Sequence, residues 1–238
     1  MIRLLPLALT AALLPAAALA QDMGALEQAA GGLGQNAVLI VMALTALSLA
    51  PAIAIMVTCF PFIVTVLSIL RQAIGLQQSP PNMLIVSLAM FLTWFIMDPV
   101  LREAWQVAGA PLQEGSIGIG EAIQRGIAPF QGFMAARTDP GTLQGLAEIA
   151  PEGLGEPAQH LSVLIPAFML SEIQRAFEIG FLIALPFLII DLVVSAVLMA
   201  MGMMMVPPVV VSLPFKLAFF VVVDGWTMIA GALVRSYQ

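Results

Sequence analysis

Six formal charges stand in an otherwise apolar stretch of the chain: Glu172, Arg175, Glu178, Asp191, Lys216 and Asp224. At a bilayer centre each costs roughly 2.5–3.5 kcal/mol on the insertion scale, so six facing lipid is untenable. They must face protein, a water-filled lumen, or a region outside the hydrocarbon. Glu172, Arg175 and Glu178 are spaced i, i+3, i+6, which predicts one side of a helix with Arg175 in reach of both acids. Asp191 and Lys216 lie on separate segments and can pair across helices or between neighbouring subunits. Two kinds of chemistry fit: structural ion pairs that specify assembly, or a direct part in ion or substrate movement.

A second group is the run "MGMMMVPPVVVSLPFK" at 201–216. Methionine in an apolar helix is ordinarily a flexible gap-filler. Three in a row cannot all point to one packed helix face, because successive side chains step around the axis. Gly202 can end the preceding helix, and Pro207-Pro208 prevent its continuation, since proline lacks an N–H and clashes with the turn before it. Met203, Met204 and Met205 are therefore expected at the tip of a helical hairpin. There they can form a soft apolar collar that excludes water and yields to a passing chain. Plain core packing is the competing reading.

The familiar catalytic signatures are missing from the sequence. It has no phosphate-binding Gly-rich loop of the Walker or dinucleotide type and no Cys/His cluster with metal spacing. His160 is the only histidine, which predicts a capping or surface role, and Cys59 is the only cysteine, which excludes an intramolecular disulfide. Asp191 in "FLIIDLVV" and Asp224 in "VVVDGW" lack the Gly-x-Gly-Asp setting of an intramembrane aspartic protease. No enzyme activity, cofactor or metal is expected. With 14 acids against 8 bases the net charge is −6, unlike a nucleic-acid binder, which clusters Lys and Arg for phosphates.

The elements that must carry these residues are helices in lipid. Of the 238 residues 61% are hydrophobic and 9% charged, and the mean hydropathy is +1.04, which predicts an all-α integral membrane protein. Residues 1–20 read as an export signal, with Arg3, an apolar core and a small-residue cleavage site ending at Ala20. A polar, Gly-rich leader follows at 21–37. Residues 38–101 form an N-terminal hairpin. Its first arm, uncharged over 38–70, would reach about 50 Å as one helix, beyond a hydrocarbon core of about 30 Å, so a kink or break at Pro51 or Pro61 is expected. Ser79 is the expected cap of the second arm, with Pro80 and Pro81 in its first turn. Trp94 and Trp105 are placed as interfacial aromatics. Residues 102–160 turn polar and Gly-rich and predict a small domain of short amphipathic helices on the periplasmic side. Residues 161–238 form a C-terminal hairpin, its first arm kinked near Pro186 and its second running from about 209 to 234.

Four motifs together resemble the FliP/SctR family of type III export-gate subunits, and in particular its flagellar branch: "LRQAIGLQQSPPN", "FLTWFIMDPV", the run from "LIPAFMLSEIQRAF" through "MGMMMVPP", and "SLPFKLAFFVVVDGW". The resemblance implies several copies assembling with FliQ and FliR into a closed helical pore complex in the bacterial inner membrane, within the flagellar basal body and above FlhB and FlhA. It also implies that much of the helical mass is lifted out of the bilayer plane toward the periplasm. It implies passage of unfolded rod, hook and filament proteins, and contact with membrane lipid. The family's methionine gasket maps onto Met203, Met204 and Met205, and its inter-subunit charges onto Asp191 and Lys216, with Arg175 and Glu178 in the preceding helix. Two alternatives remain at this point: an injectisome homologue, or an autonomous transporter or proton channel using Asp191, Asp224 and Lys216 as a relay.

Overall fold

The computed structural model describes residues 37–76 (without 39, 43, 46 and 47), 80–151 and 160–237. The export signal with Ala20, the leader up to residue 36, and Ser79 lie outside the described residues. The chain divides into two units, 1–52 and 53–238. In the first, the described residues from 37 onward are helical and exposed.

In the second unit, α1 (Phe60–Ile74) starts with Pro61 in its first turn, where an N–H would have no intrahelical partner. Of the two prolines expected to interrupt the 38–70 run, this one does so: the backbone leaves the helix at 57–59, just ahead of it, while Pro51 stands among helical residues. Phe62, Ile63, Val66, Leu67, Leu70 and Ile74 recur on one face and are fully buried. Gly75 ends the helix with φ 90, its N–H bonding to the Gln72 carbonyl at 3.0 Å.

The second arm, α2 (Asn82–Ala104), does not start as expected. Pro80 and Pro81 precede it rather than occupying its first turn, and Pro81 takes the cap position with ψ 150. Pro81 keeps Pro80 out of helical backbone, so the helix waits for Asn82. Arg71 ties this entry to α1, donating to the Asn82 side chain and to the Pro80 carbonyl.

Nor does the helix stop where the composition changes at Arg102. A π-helical turn at Trp105–Gly109 and α3 (Ala110–Gln113) extend it into one helical run, Asn82–Gln113. Arg102 is accommodated because it pairs with Asp98 one turn back at 2.9 Å. In the π turn, the Trp105 indole lies where any side chain on residue 109 would stand, 2.3 Å from a Cβ built there; glycine makes the turn possible.

Helices α4 (Ile119–Arg137) and α5 (Pro140–Glu148) follow. Helix α4 packs on α2, and both α4 and α5 pack on α6 (Leu161–Ala200). Asp139 caps α5, its carboxylate accepting from the Thr142 N–H at 2.8 Å and the Thr142 hydroxyl at 3.0 Å. These two bonds hold the Asp139 carboxyl below its usual range. Its own N–H donates to Ser171 Oγ at 2.9 Å, fixing α5 to α6.

Helix α6 is the strut of the unit, in contact with α1, α4, α5 and α7 (Pro208–Val222). Its 40 residues extend about 60 Å at 1.5 Å per residue, twice a hydrocarbon core. It carries Pro166 and Pro186 without ending. It approaches α1 closely at Gly180, where a Cβ would stand 2.5 Å from Ile69 Cδ1 and 3.1–3.2 Å from Ile69 Cγ2 and Cβ. Replacing Gly180 by Leu should therefore force α1 and α6 apart. The expected cost is about 1–3 kcal/mol, read as a lowered melting temperature of the purified protein with helix content retained.

The last arm is two helices, not the single one expected over 209–234. Helices α7 and α8 (Gly225–Arg235) meet at a 62° bend. Asp224 holds the bend in left-handed backbone, φ 47 and ψ 53, and is the one described non-glycine residue with positive φ. Gly225 follows because the Phe220 ring would lie 2.1 Å from a Cβ there. An aspartate tolerates this backbone better than most residues, so the "DG" pair marks the break. By length and composition two of the described helices can cross a membrane, Asn82–Gln113 and Leu161–Ala200, or up to four spans if each of two bent pairs counts as one.

Candidate functional site: a hairpin with a bare methionine tip and two buried charge centres

The hairpin tip is built by backbone first. The Met203 N–H bonds to the Leu198 carbonyl at 2.9 Å and the Gly202 N–H to the Met199 carbonyl at 3.0 Å, with Gly202 at φ 75. This nested pair of bonds satisfies the last free carbonyls of α6 and needs left-handed backbone, which glycine supplies. Pro207 then caps α7 with extended backbone and Pro208 opens it. Gly202, Pro207 and Pro208 thus break the hairpin where the sequence placed the break. Between them the methionine side chains stand free: Met203 is 44% exposed, Met204 83% and Met205 97%. Core packing within this chain does not account for them.

The first charge centre joins the two arms. Lys216 Nζ lies 2.6 Å from Asp191 Oδ2 and donates to the Ala73 carbonyl at 3.0 Å. Ser212, one turn before Lys216, donates its hydroxyl to Asp191 Oδ1 at 2.6 Å. Lys216 is 4% exposed. The pair therefore lies within one chain, across α6 and α7, with the end of α1 supplying the third partner. Both carboxylate oxygens are occupied by charge-assisted bonds.

The second centre surrounds Glu172, which is fully buried. Arg175 approaches its Oε1 at 3.2 Å, as the i, i+3 spacing predicts, and Arg137 reaches the same oxygen at 3.3 Å. The Tyr237 hydroxyl donates to Oε2. Burial, and then the Glu172 carboxylate, push the Tyr237 phenol above its ordinary range, so it keeps its proton and remains a donor. Arg137 also lies 4.0 Å above the Tyr237 ring and donates to the Ser236 carbonyl at 2.7 Å. Glu178 departs from expectation: it accepts from Gln174 Nε2 at 3.1 Å, on its own helix, and makes no ion pair with Arg175. Arg175 is drawn to Glu172 because that carboxylate has no water to turn to.

Arg137 and Tyr237 were not singled out from sequence. The available signal was Glu172 itself: an acid in an apolar helix, if buried, must have its charge paired and its remaining lone pairs hydrogen-bonded. Asp224 is exposed at the α7–α8 bend, away from both centres, and does not join Asp191 and Lys216 in a relay within the chain. His160 occupies the cap position of α6, but its side chain makes no capping bond. Among the described residues no three His, Cys, Asp or Glu side chains are grouped to hold a metal.

The FliP family model matches residues 43–233. The chain is 47% identical to the flagellar biosynthetic protein FliP of Caulobacter vibrioides over 97% of its own length and 88% of that protein. It is 50% identical to that of Agrobacterium fabrum over 82% and 81% of the two chains. With the Bacillus subtilis protein it shares 44% over 85% and 92%. Matches of this identity across nearly the whole sequence, on a chain of apolar helices, establish that it belongs to the FliP family.

Proposed function

We propose that this chain is a pore-forming, non-enzymatic subunit of the flagellar protein export gate. In this reading several copies assemble with FliQ and FliR, in contact with FlhB and FlhA, in the inner membrane at the basal body. Unfolded rod, hook and filament proteins cross the shared lumen. The observation that carries the proposal is the methionine tip. A helix end sealed by its own backbone, with three consecutive methionines left bare, is costly in water and in a monomer, and sensible as one segment of a ring. The two buried charge centres support the same reading. They tie α1, α4, α6, α7 and the C-terminus of one chain into a unit that can be repeated as a body. On this reading Asp191, Lys216, Arg175, Glu178 and Glu172 shape the subunit rather than carry ions.

Co-expression with the candidate FliQ and FliR partners, extraction in mild detergent and measurement of the intact mass tests the proposal. A large hetero-oligomer with several copies of this chain is the expected result. A lone monomer or dimer that ignores both partners would instead favour an autonomous transporter.

A further inference from the structure

Helices α2 and α8 lie side by side, and two open clefts run between them, of about 480 and 720 Å³, which adjoin at Phe95 and Val234. Both volumes fall in the range of roughly 300–1,000 Å³ typical of small-molecule sites. The larger cleft is walled by Leu88, Leu92, Phe95 and Trp226, and ends at Arg235; the smaller carries Trp94, Asp98 and Arg102. The larger cleft is mostly apolar with Arg235 at its edge, and the smaller is more polar, with Arg102 and Asp98 in its lining.

Those cations have capacity to spare. Arg235 is exposed and has no hydrogen bond or ion pair among the described residues. Its guanidinium folds back across Gly231, with Nη1 3.3 Å from the position of a Cβ there, so it overhangs the cleft rather than reaching away. Arg102 spends only its Nε on Asp98, which leaves both Nη groups free of protein partners. Among the described lining residues Asp98 is the one acid, and it is already matched by Arg102. Arg235 sits in the last turn of α8, where the helix dipole favours a cation. The dipole alone does not explain the open N–H groups of Arg235 or the apolar trough beside it. A cation at the edge of an apolar trough is the arrangement found at a membrane–water boundary.

We infer that the α2–α8 cleft is a binding site for an anionic phospholipid, with an acyl chain along Leu88, Leu92 and Phe95 and the headgroup phosphate on Arg235. Charge selects this occupant: a phosphodiester matches the open guanidinium, and a zwitterionic lipid brings a competing cation to the same rim. From the preceding section the inference takes only that the chain resides in lipid.

The test uses native mass spectrometry of the purified full-length protein, alone or with whatever subunits co-purify. Dioleoyl phosphatidylglycerol is titrated against dioleoyl phosphatidylcholine. Phosphatidylglycerol should bind preferentially, and Arg235→Gln should weaken it roughly tenfold, the scale of a lost charge-assisted bond. Gly231→Leu, which fills the trough and keeps the cation, should block binding as well. Arg125→Gln, on exposed α4 and paired with Glu121 at 2.5 Å, should change nothing. Equal binding of both lipids, or an unaltered preference in Arg235→Gln, would overturn the assignment. So would a photo-crosslinker at Ala230 that captures a protein chain in place of lipid, since the cleft would then be a subunit interface. The mass of the complex is read in the same experiment, so loss of the lipid site and loss of the export-gate assembly are separate results.

Discussion

Replacing Asp191 by Asn should sharply reduce the recoverable folded protein, replacing Lys216 by Met should reduce it less, and replacing both together should restore much of it. The ammonium of Lys216 is buried among α1, α6 and α7 with two partners, Asp191 and the Ala73 carbonyl. Removing the carboxylate leaves a buried charge that one neutral carbonyl cannot balance. Removing the ammonium leaves Asp191 with the Ser212 hydroxyl alone and leaves the Ala73 carbonyl at the end of α1 without its donor. Breaking a buried pair on one side costs about 3–5 kcal/mol, whereas exchanging both partners for neutral groups of similar volume is often close to neutral. Since domains are stable by only about 5–15 kcal/mol, Asp191→Asn, which strands the buried ammonium, consumes a large part of the margin, and Lys216→Met, which leaves a carboxylate 31% exposed, costs less. Yield and melting temperature of the detergent-solubilised protein, with swimming as the cellular readout, give the full cycle. A double variant as damaged as the sum of the two singles would show that the charges act separately, as members of a transport relay would. The paired geometry predicts the opposite.

The parts of this arrangement that could be read from sequence are those fixed by local chemistry. Gly202 followed by Pro207-Pro208 sets a helix end and a helix start whatever else the protein does, and the structure has both within a residue of the expected place. The Asp191–Lys216 pair was legible in part: two opposite charges in apolar arms must find partners, but the spacing left open whether they meet across helices of one chain or between subunits. Glu178 shows the limit of the same logic. Helical spacing put Arg175 within reach of two acids, but spacing carries no information about burial, and the drier carboxylate of Glu172 took the cation. Arg137 and Tyr237 were out of reach because they come from 35 and 65 residues away along the chain. The bend at Asp224 was missed for another reason. Hydropathy is high on both sides of "DG" and outweighs that short turn signal, whereas the left-handed backbone at Asp224 and the Phe220 ring against Gly225 fix the break. Composition likewise placed a boundary at Arg102, where an i, i+4 ion pair and a π turn let the helix continue.

Replacing Met203, Met204 and Met205 together by Ala should leave the subunit folded and the closed gate leaky. The two halves of this expectation rest on different observations. Folding is spared because Met204 and Met205 are almost wholly exposed and the tip is held by backbone bonds from Met203 and Gly202, which alanine preserves at 203. Deleting these side chains removes little packing from the chain that carries them, so melting temperature and complex yield should stay near wild type. A barrier made by a ring of such tips depends on the volume and apolar surface that each copy projects. Three methionines cut back to methyl groups widen the constriction and admit water, and a constriction that holds by dewetting fails once it is wet. Cells carrying the triple variant should therefore take up a small membrane-impermeant solute that wild-type cells exclude, and Leu in place of Ala should restore most of the barrier because bulk and apolarity return. If the triple variant assembles normally and the barrier is unchanged, the methionines are not the seal. If the barrier fails only where assembly fails, the tip is a packing element between subunits instead. The prediction requires a leak through an intact complex, and measuring mass and permeability on the same strain separates the three outcomes.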